Sequence, residues 1–366
     1  MGSDTDYDIA FREGLAEVVT VQSQPYAPIY SIERSDHQEV LIEGIVSVVA
    51  GTASGSVRNL LTIGDDRFLI WTRSILKPWQ TTANLPFLQE GYPDLLPQHL
   101  AVITGSHSAG IEHLCLLRQI ISLGRVSEDD LRCPVSMPKD QQIRLQFERE
   151  SEGPRRLFHN CSGKHLGYLL AMKAQKIKTD NYLDPTGPQH RPLLSVLHQL
   201  TGRPIESFLP TVDGCQLPNY SLTAFEAATL YLGLLNHACL PTARIDDAGL
   251  VDRLSYVGGL MRSYPDLIDG QGTLDTDIMK GRFLKVGDQT KLVAKVGAEG
   301  LLAVGVGPTE IYPYGAGILI KLAHGMTVNH IEIIVKELMR QMSLTGDTVD
   351  GAKKDSHLRT KFYFKR

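Results

Sequence analysis

Residues 292–322 read LVAKVGAEGLLAVGVGPTEIYPYGAGILIKL. Three short runs rich in Val, Ile, Leu and Ala, at 292–296, 301–306 and 317–322, are separated by turns containing glycine. Apolar runs this short and this closely spaced are strands, and their arrangement predicts an antiparallel meander. After it, Val328, Ile331, Val335, Leu338 and Met342 fall on one helical face, so a helix over 328–342 should pack on that sheet. Near the other end of the chain, IEGIVSVVA (42–50) reads as a buried strand and RFLIW (67–71) as a second strand paired to it, with Gly51, Ser54 and Gly55 supplying the turn.

The sequence between these strand groups has another character. Ser74 to Gly91, SILKPWQTTANLPFLQEG, reads as a helix entered directly from a strand, and 76–269 as mostly helical. The clearest helices are 112–123, 163–175, 192–200 and 222–236; Leu250, Leu254, Val257 and Met261 add a further amphipathic stripe. The order of elements predicts an α+β fold: one five-stranded antiparallel sheet flanked by helices, with a helical lobe inserted and a cleft where the two meet. Residues 1–14 are expected to be disordered, and 15–345 to form a single two-lobed unit. Its sheet lobe is 15–75 plus 270–345, its helical lobe 76–269, and 346–366 is a tail.

The composition narrows the function. With 37 Lys plus Arg against 41 Asp plus Glu, and no basic stripe, there is no electrostatic reason to expect nucleic-acid or membrane-surface binding. No apolar stretch of roughly 20 residues offers a membrane span. Five cysteines make no disulfide framework, and an odd count fits a reducing compartment. The start MGSDTDYD lacks the basic and apolar segments of a signal peptide, so a cytoplasmic location is expected.

Chemistry concentrates in a few places. In Arg73-Ser74-Ile75-Leu76-Lys77-Pro78 the serine and lysine lie at i and i+3, on one helical face. A serine hydroxyl attacks a carbonyl when a base takes its proton, and a lysine serves once burial or a nearby cation lowers its pKa. The plainer role for Ser74 is a helix N-cap. Ser106-His107-Ser108 is either a polar turn or a second serine site, and Lys295-Val296-Gly297 lies on the first meander strand, where a lysine is otherwise an edge charge. Ser-x-x-Lys at a helix start, a serine turn in a helical lobe and Lys-x-Gly on a later strand together resemble the layout of serine β-lactamases and penicillin-binding proteins. The Ser-Asp-Asn motif and the Thr of Lys-Thr-Gly are missing.

Two more segments, His159-Asn160-Cys161-Ser162-Gly163-Lys164-His165 and Val212-Asp213-Gly214-Cys215-Gln216-Leu217-Pro218, point more narrowly. Six motifs stand in order between residues 73 and 298: Arg73-Ser74-x-x-Lys77-Pro78, Ser106-His107-Ser108, Asp130-Leu131-Arg132-Cys133, Asn160 to His165, Asp213-Gly214-Cys215 and Lys295-x-Gly297-Ala298. In these the chain resembles the class 3, rhizobial-type L-asparaginases, also termed asparaginase II. The resemblance implies a serine β-lactamase/transpeptidase-like fold and hydrolysis of L-asparagine to L-aspartate and ammonia. It implies that Ser74 is the nucleophile and Lys77 its base, with Ser106 and Lys295 a second pair that completes a proton relay or polarises the amide. It also implies a zinc ion on Cys161, Lys164 and Cys215, an amino-acid substrate held by Arg73, His165 and Asp213, and a homodimer. Two thiolates suit zinc, whereas lysine must be a neutral amine to bind it. With no water-activating His or Glu triad in view, the zinc is expected to organise the pocket. Cys115, Cys133 and Cys239 are expected to be inert thiols.

The chain also departs from that pattern. Ala109 and Gly110 follow the Ser106 motif where the family has an acidic residue, with Glu112 displaced, although His113 matches a second family histidine. An apolar residue near Ile42 stands where the family has a histidine, and the tail DSHLRTKFYFKR differs. These departures touch the pocket rim and leave asparagine against glutamine open. The rival readings are a serine hydrolase of the β-lactamase or peptidase type, and a non-catalytic relative that binds an amino acid.

Overall fold

A computed structural model describes residues 24–151, 153–240, 245–285, 288–325, 328–345 and 358–364. In chain order its strands are β1 (Ala27–Arg34), β2 (His37–Gly51), β3 (Val57–Ile63), β4 (Leu69–Trp71), β5 (Pro210–Val212), β6 (Pro218–Thr223), β7 (Leu292–Gly297), β8 (Leu301–Val306), β9 (Ala316–Leu322) and β10 (Leu358–Phe362). The fold is mixed α and β, with an antiparallel main sheet and several helices.

β1 and β2 form a hairpin closed by Ser35 and Asp36, both left-handed at φ 48° and 65°, the backbone twist that suits a two-residue hairpin loop. β2 is the spine of the sheet. Its first half pairs with β1, and its second half pairs with β3 on one edge and β9 on the other. β8 and β7 extend the sheet beyond β9, while β10 borders β1. The described residues thus build seven strands in the main sheet, not the five expected.

The strand in RFLIW exists as β4, but it does not pair with 42–50. It pairs with β6, which also carries β5, in a separate three-stranded sheet. Over 46–50 both edges of β2 are already taken by β3 and β9, so none remains for β4. The stretch 76–269 is mostly helical, and β5 and β6 lie within it. The tail is also partly sheet, since β10 pairs with β1. Residues 1–14 and 346–357 lie outside the described residues.

The helix Ala224–Gly233 starts at a capping box. Thr223 Oγ1 accepts from Glu226 N at 3.0 Å and Glu226 Oε2 accepts from Thr223 N at 2.7 Å, which sets the start two residues later than the apolar pattern suggested. This helix sits hard against the sheet. A Cβ at Gly317 would stand 1.9 Å from Ala228 O, and one at Gly305 would stand 2.2 Å from Tyr231 O. Helix Val328–Gln341 covers the other face, where Leu338 and Met342 line a small cavity with Val48, Leu60 and Leu61. With helices on both faces, residues 45–50 of β2 are buried throughout and almost wholly apolar, and the one hydroxyl among them, Ser47, donates to Asp66.

In the helical part, Lys77–Gly91 packs against Ser162–Ala174, both largely buried. Among the described residues no helix is long and apolar enough to cross a membrane.

Candidate active site

β4 leads into a 3-10 turn, Arg73–Leu76, and the α-helix starts only at Lys77. Ser74 therefore does not cap it; Leu76 stands at that position. Arg73 is left-handed at φ 47°, a conformation costing on the order of 1–3 kcal/mol for a side chain of this size. The backbone is pinned there by β6: Asn219 Oδ1 accepts from Arg73 N at 3.1 Å, and Thr72 Oγ1 lies 2.8 Å from the same oxygen and 2.7 Å from Tyr220 O. From the sheet side, Tyr231 Oη donates to Ile75 O at 2.9 Å. Ser74 itself is half-buried, and its hydroxyl makes no hydrogen bond among the described residues.

Lys77, three residues on, is fully buried. Its Nζ contacts Gly105 O at 2.7 Å, Ser106 Oγ at 2.8 Å and Asn160 O at 3.3 Å. Its pKa is lowered to about 8, chiefly by burial and also by Lys164 and Lys295, against the opposing effect of Cys161 and Cys215. Of the three partners only the Ser106 hydroxyl can also donate. Once Lys77 loses its proton, the contact with Ser106 can reverse and the hydroxyl proton point at the amine. The turn holding Ser106 is tied on both sides. Ser106 N donates to Ile268 O at 2.6 Å, and His107 Nε2 lies 2.8 Å from Ser162 Oγ, which donates to Leu157 O at 2.9 Å. Ala109 N donates to His107 Nδ1, so Nε2 carries the ring proton, and burial holds His107 neutral.

The structure pairs the serines and lysines differently from the expected arrangement. Ser106 is bonded to Lys77 and not to Lys295. Lys295 instead forms a short ion pair with Asp275 and donates to Val296 O at 3.0 Å, while Asp275 Oδ1 accepts from Val296 N at 2.5 Å. Burial opposes charge on both partners. In Asp275 it dominates, and the carboxyl is pushed up to about 6; in Lys295 the carboxylates of Asp275 and Asp269 outweigh it and hold the amine above its ordinary value. At neutral pH this is an ion pair.

Cys161, Lys164 and Cys215 converge. Cys161 is held well below the ordinary thiol range, first by its interaction with Cys215, then by the Lys77 and Lys164 amines against the opposing effect of burial. Burial pulls the Lys164 amine down, but Cys215, Cys161 and Asp213 raise it more. Asp213 Oδ2 lies 3.9 Å from Cys215 Sγ and 4.0 Å from Lys164 Nζ, and Oδ1 accepts from Arg73 Nε at 2.7 Å. Among the described residues no three His, Cys, Asp or Glu side chains are grouped to hold a metal. His165 is fully buried and kept neutral by that burial. Its Nδ1 lies 2.6 Å from Tyr182 Oη, and its Nε2 has no partner among the described residues.

Asp275 and Asn219 were not foreseen. Thr273-Leu274-Asp275-Thr276-Asp277 reads as an ordinary acidic helix start, and nothing local says that one of its acids is buried. Asn219 lies in Leu217-Pro218-Asn219-Tyr220, where asparagine reads as turn chemistry; its role appears only when β6 meets the Arg73 turn.

A buried amine able to become neutral against a hydroxyl, with a second amine held cationic within Coulombic reach, suits the cleavage of an amide: one takes a proton, the other meets negative charge. By class the chain is an amidohydrolase with a small-molecule substrate. It belongs to the L-asparaginase II family, whose sequence profile matches residues 31–362. Among curated proteins none matches the chain. Among solved structures it is similar to a probable glutaminase from Bacillus subtilis complexed with 6-diazo-5-oxo-L-norleucine, at 14% identity over 82% of this chain and 85% of that one, with TM-score 0.37. It is also similar to a Bacillus glutaminase crystallised in the presence of 4.3 M NaCl, at 13% identity over 82% and 92%, with TM-score 0.38.

Proposed function

We propose that the chain hydrolyses the side-chain amide of L-asparagine to L-aspartate and ammonia. The observation carrying this is the buried Lys77 amine, with its pKa near 8, at 2.8 Å from the Ser106 hydroxyl. Family membership supports the substrate class. Ser74 attacks the amide carbon, and its proton passes through Ser106 to Lys77. Lys295 meets the negative charge that develops on the carbonyl oxygen. Lys77 then gives its proton to the departing nitrogen, ammonia leaves, and water hydrolyses the aspartyl ester on Ser74. Arg73 takes the substrate carboxylate, Asp213 its ammonium, and His165 borders the same pocket.

The fold supports a serine β-lactamase/transpeptidase-like arrangement, with the serine–lysine site where a largely helical insertion between β4 and β7 meets the sheet. Cys161, Lys164 and Cys215 are the residues that would hold zinc: one thiol already favours its anion, while the Lys164 amine, which the thiols and Asp213 keep protonated here, would give up its proton to the solvent on binding. Bound there, zinc would join the loops carrying the two cysteines and fix the pocket's shape. The protein is further proposed to be a cytoplasmic homodimer, as the family resemblance and the odd cysteine count suggest.

A second reading takes Ser106 as the nucleophile, because it is the hydroxyl bonded to Lys77. Ammonia release from L-asparagine and L-glutamine by Ser74→Ala and Ser106→Ala, with mass spectrometry of the quenched acyl-enzyme, separates the two. An ester on the Ser74 peptide, lost in Ser74→Ala, supports the first. Undiminished release by Ser74→Ala sinks it, and an ester on Ser106 establishes the second.

A further inference from the structure

We propose that Asp275 is a positioning residue for the amide-cleaving reaction, holding Lys295 as a cation with one N–H left for the reacting carbonyl. The inference rests on the amidohydrolase reading above and adds a residue to it. Asp275 and Lys295 are 0% and 1% exposed. One carboxylate oxygen takes the ammonium and the other takes Val296 N, so the same side chain fixes both the head of Lys295 and the backbone next to it. Lys295 has three N–H donors. Asp275 and Val296 O take two, and the third has no partner among the described residues.

The pair is also in the right place. Ser106 N is bonded to Ile268 O, and Gly270 packs so closely on Ser108 that a Cβ there would lie 2.5 Å from its hydroxyl oxygen. The segment 268–275 therefore runs from the Ser106 turn to Asp275. Across from it, β7 brings Gly297 against Ile75, next to Ser74. The ion pair thus joins the backbones that carry the two serines. A buried ion pair is a poor source of stability compared with apolar residues of the same volume, so a purely structural role would be served better by Leu and Met. The other groups facing the pair are Asp269, Tyr231, Cys161 and the Lys77 amine, and Lys77 has to be neutral to act as the base, which leaves Lys295 as the lasting cation.

Asp275→Asn keeps the volume and removes the charge. It is expected to lower kcat on the amide substrate by about 100-fold with KM within about threefold, as for loss of a preorganised donor to a developing oxyanion. Added to Lys295→Met, it should cost nothing further, because Asp275 acts only through Lys295. A kcat within about threefold of wild type, or a further loss in the Lys295→Met background, overturns the proposal. If Asp275→Asn does not fold, the doubly apolar Asp275→Leu/Lys295→Met protein replaces it, and its kcat must equal that of Lys295→Met. Thermal unfolding of the same set checks the coupling without substrate: additive losses in Tm overturn it. A wild type that releases no ammonia from either amide sinks the functional reading itself. A wild type that turns over while Asp275→Asn is unimpaired sinks this proposal alone.

Discussion

Arg73 Nε donates to Asp213 Oδ1 at 2.7 Å, so the two groups proposed to hold opposite ends of an amino acid hold each other. Gly214 N donates to the same carboxylate oxygen at 2.8 Å, and Glu299 stands 3.8 Å from the guanidinium. A zwitterion offers both residues an equivalent: its ammonium for Asp213 and its carboxylate for the guanidinium N–H groups that Asp213 leaves free.

Asp213→Asn keeps the shape of this site and removes the charge that the substrate ammonium would meet. A hydrogen bond to a charged group contributes about 1.5–3 kcal/mol, so KM for L-asparagine should rise by roughly 10- to 150-fold, with a smaller effect on kcat. Steady-state kinetics decides this; an unaltered KM would remove Asp213 from the substrate site.

Lys77 works as a base only when neutral. Its pKa is near 8, below the ordinary lysine value, so lowering the pH through that value protonates it. Because the protonated form is the inactive one, kcat/KM should rise with pH through a midpoint near 8 and fall about tenfold per pH unit well below it. Lys164 and Lys295 face it as cations, and Cys161 and Cys215 as thiols, so all four bear on where the midpoint falls. A profile flat between about pH 6 and 9 would rule Lys77 out as the base.

Elements whose physics is local could be read from the sequence. The meander, the 328–342 helix and the helices near 112–123 and 163–175 follow from apolar spacing and lie within a residue or two of where the pattern put them. What failed was pairing. The alternation in RFLIW is real, with Ile70 buried and Leu69 and Trp71 exposed, but no local signal says that β6 is its partner, more than about 150 residues away along the chain. β3, VRNLLTI, was missed because its half-exposed residues blur the alternation. The site divides in the same way. The motifs marked Ser74, Lys77, Ser106 and Lys295, while which amine serves which partner depends on Asp275, an acid with no sequence signal of burial.

The thiol pair provides a test that needs no substrate. Protein purified without chelator should carry about one zinc per chain by elemental analysis, and Cys161→Ser or Cys215→Ser should lose it, since a serine hydroxyl is a far weaker zinc donor than a thiolate. Lys164→Arg should lose it too, because a guanidinium keeps its proton and cannot coordinate. Retention of zinc by Lys164→Arg would place the third donor elsewhere.

The contact between helix Ala224–Gly233 and the sheet offers a way to perturb the site from a distance. Gly317→Ala would put a methyl group 1.9 Å from Ala228 O, so the helix has to move off the sheet, and overpacking of this kind costs about 1–3 kcal/mol. The same helix carries Tyr231, whose hydroxyl holds Ile75 O next to Ser74. Displacing the helix should therefore lower Tm and also loosen the Ser74 turn, reducing kcat. Tyr231→Phe removes only the tether and leaves Ile75 O unpaired, at about 1–3 kcal/mol. If the tether is how the helix acts on the site, Tyr231→Phe and Gly317→Ala should reduce kcat in the same direction, and Gly317→Ala should add little once the tether is gone. Equal losses of kcat for Gly317→Ala with and without Tyr231 would show that the sheet reaches Ser74 by another route, through β4 and Asn219.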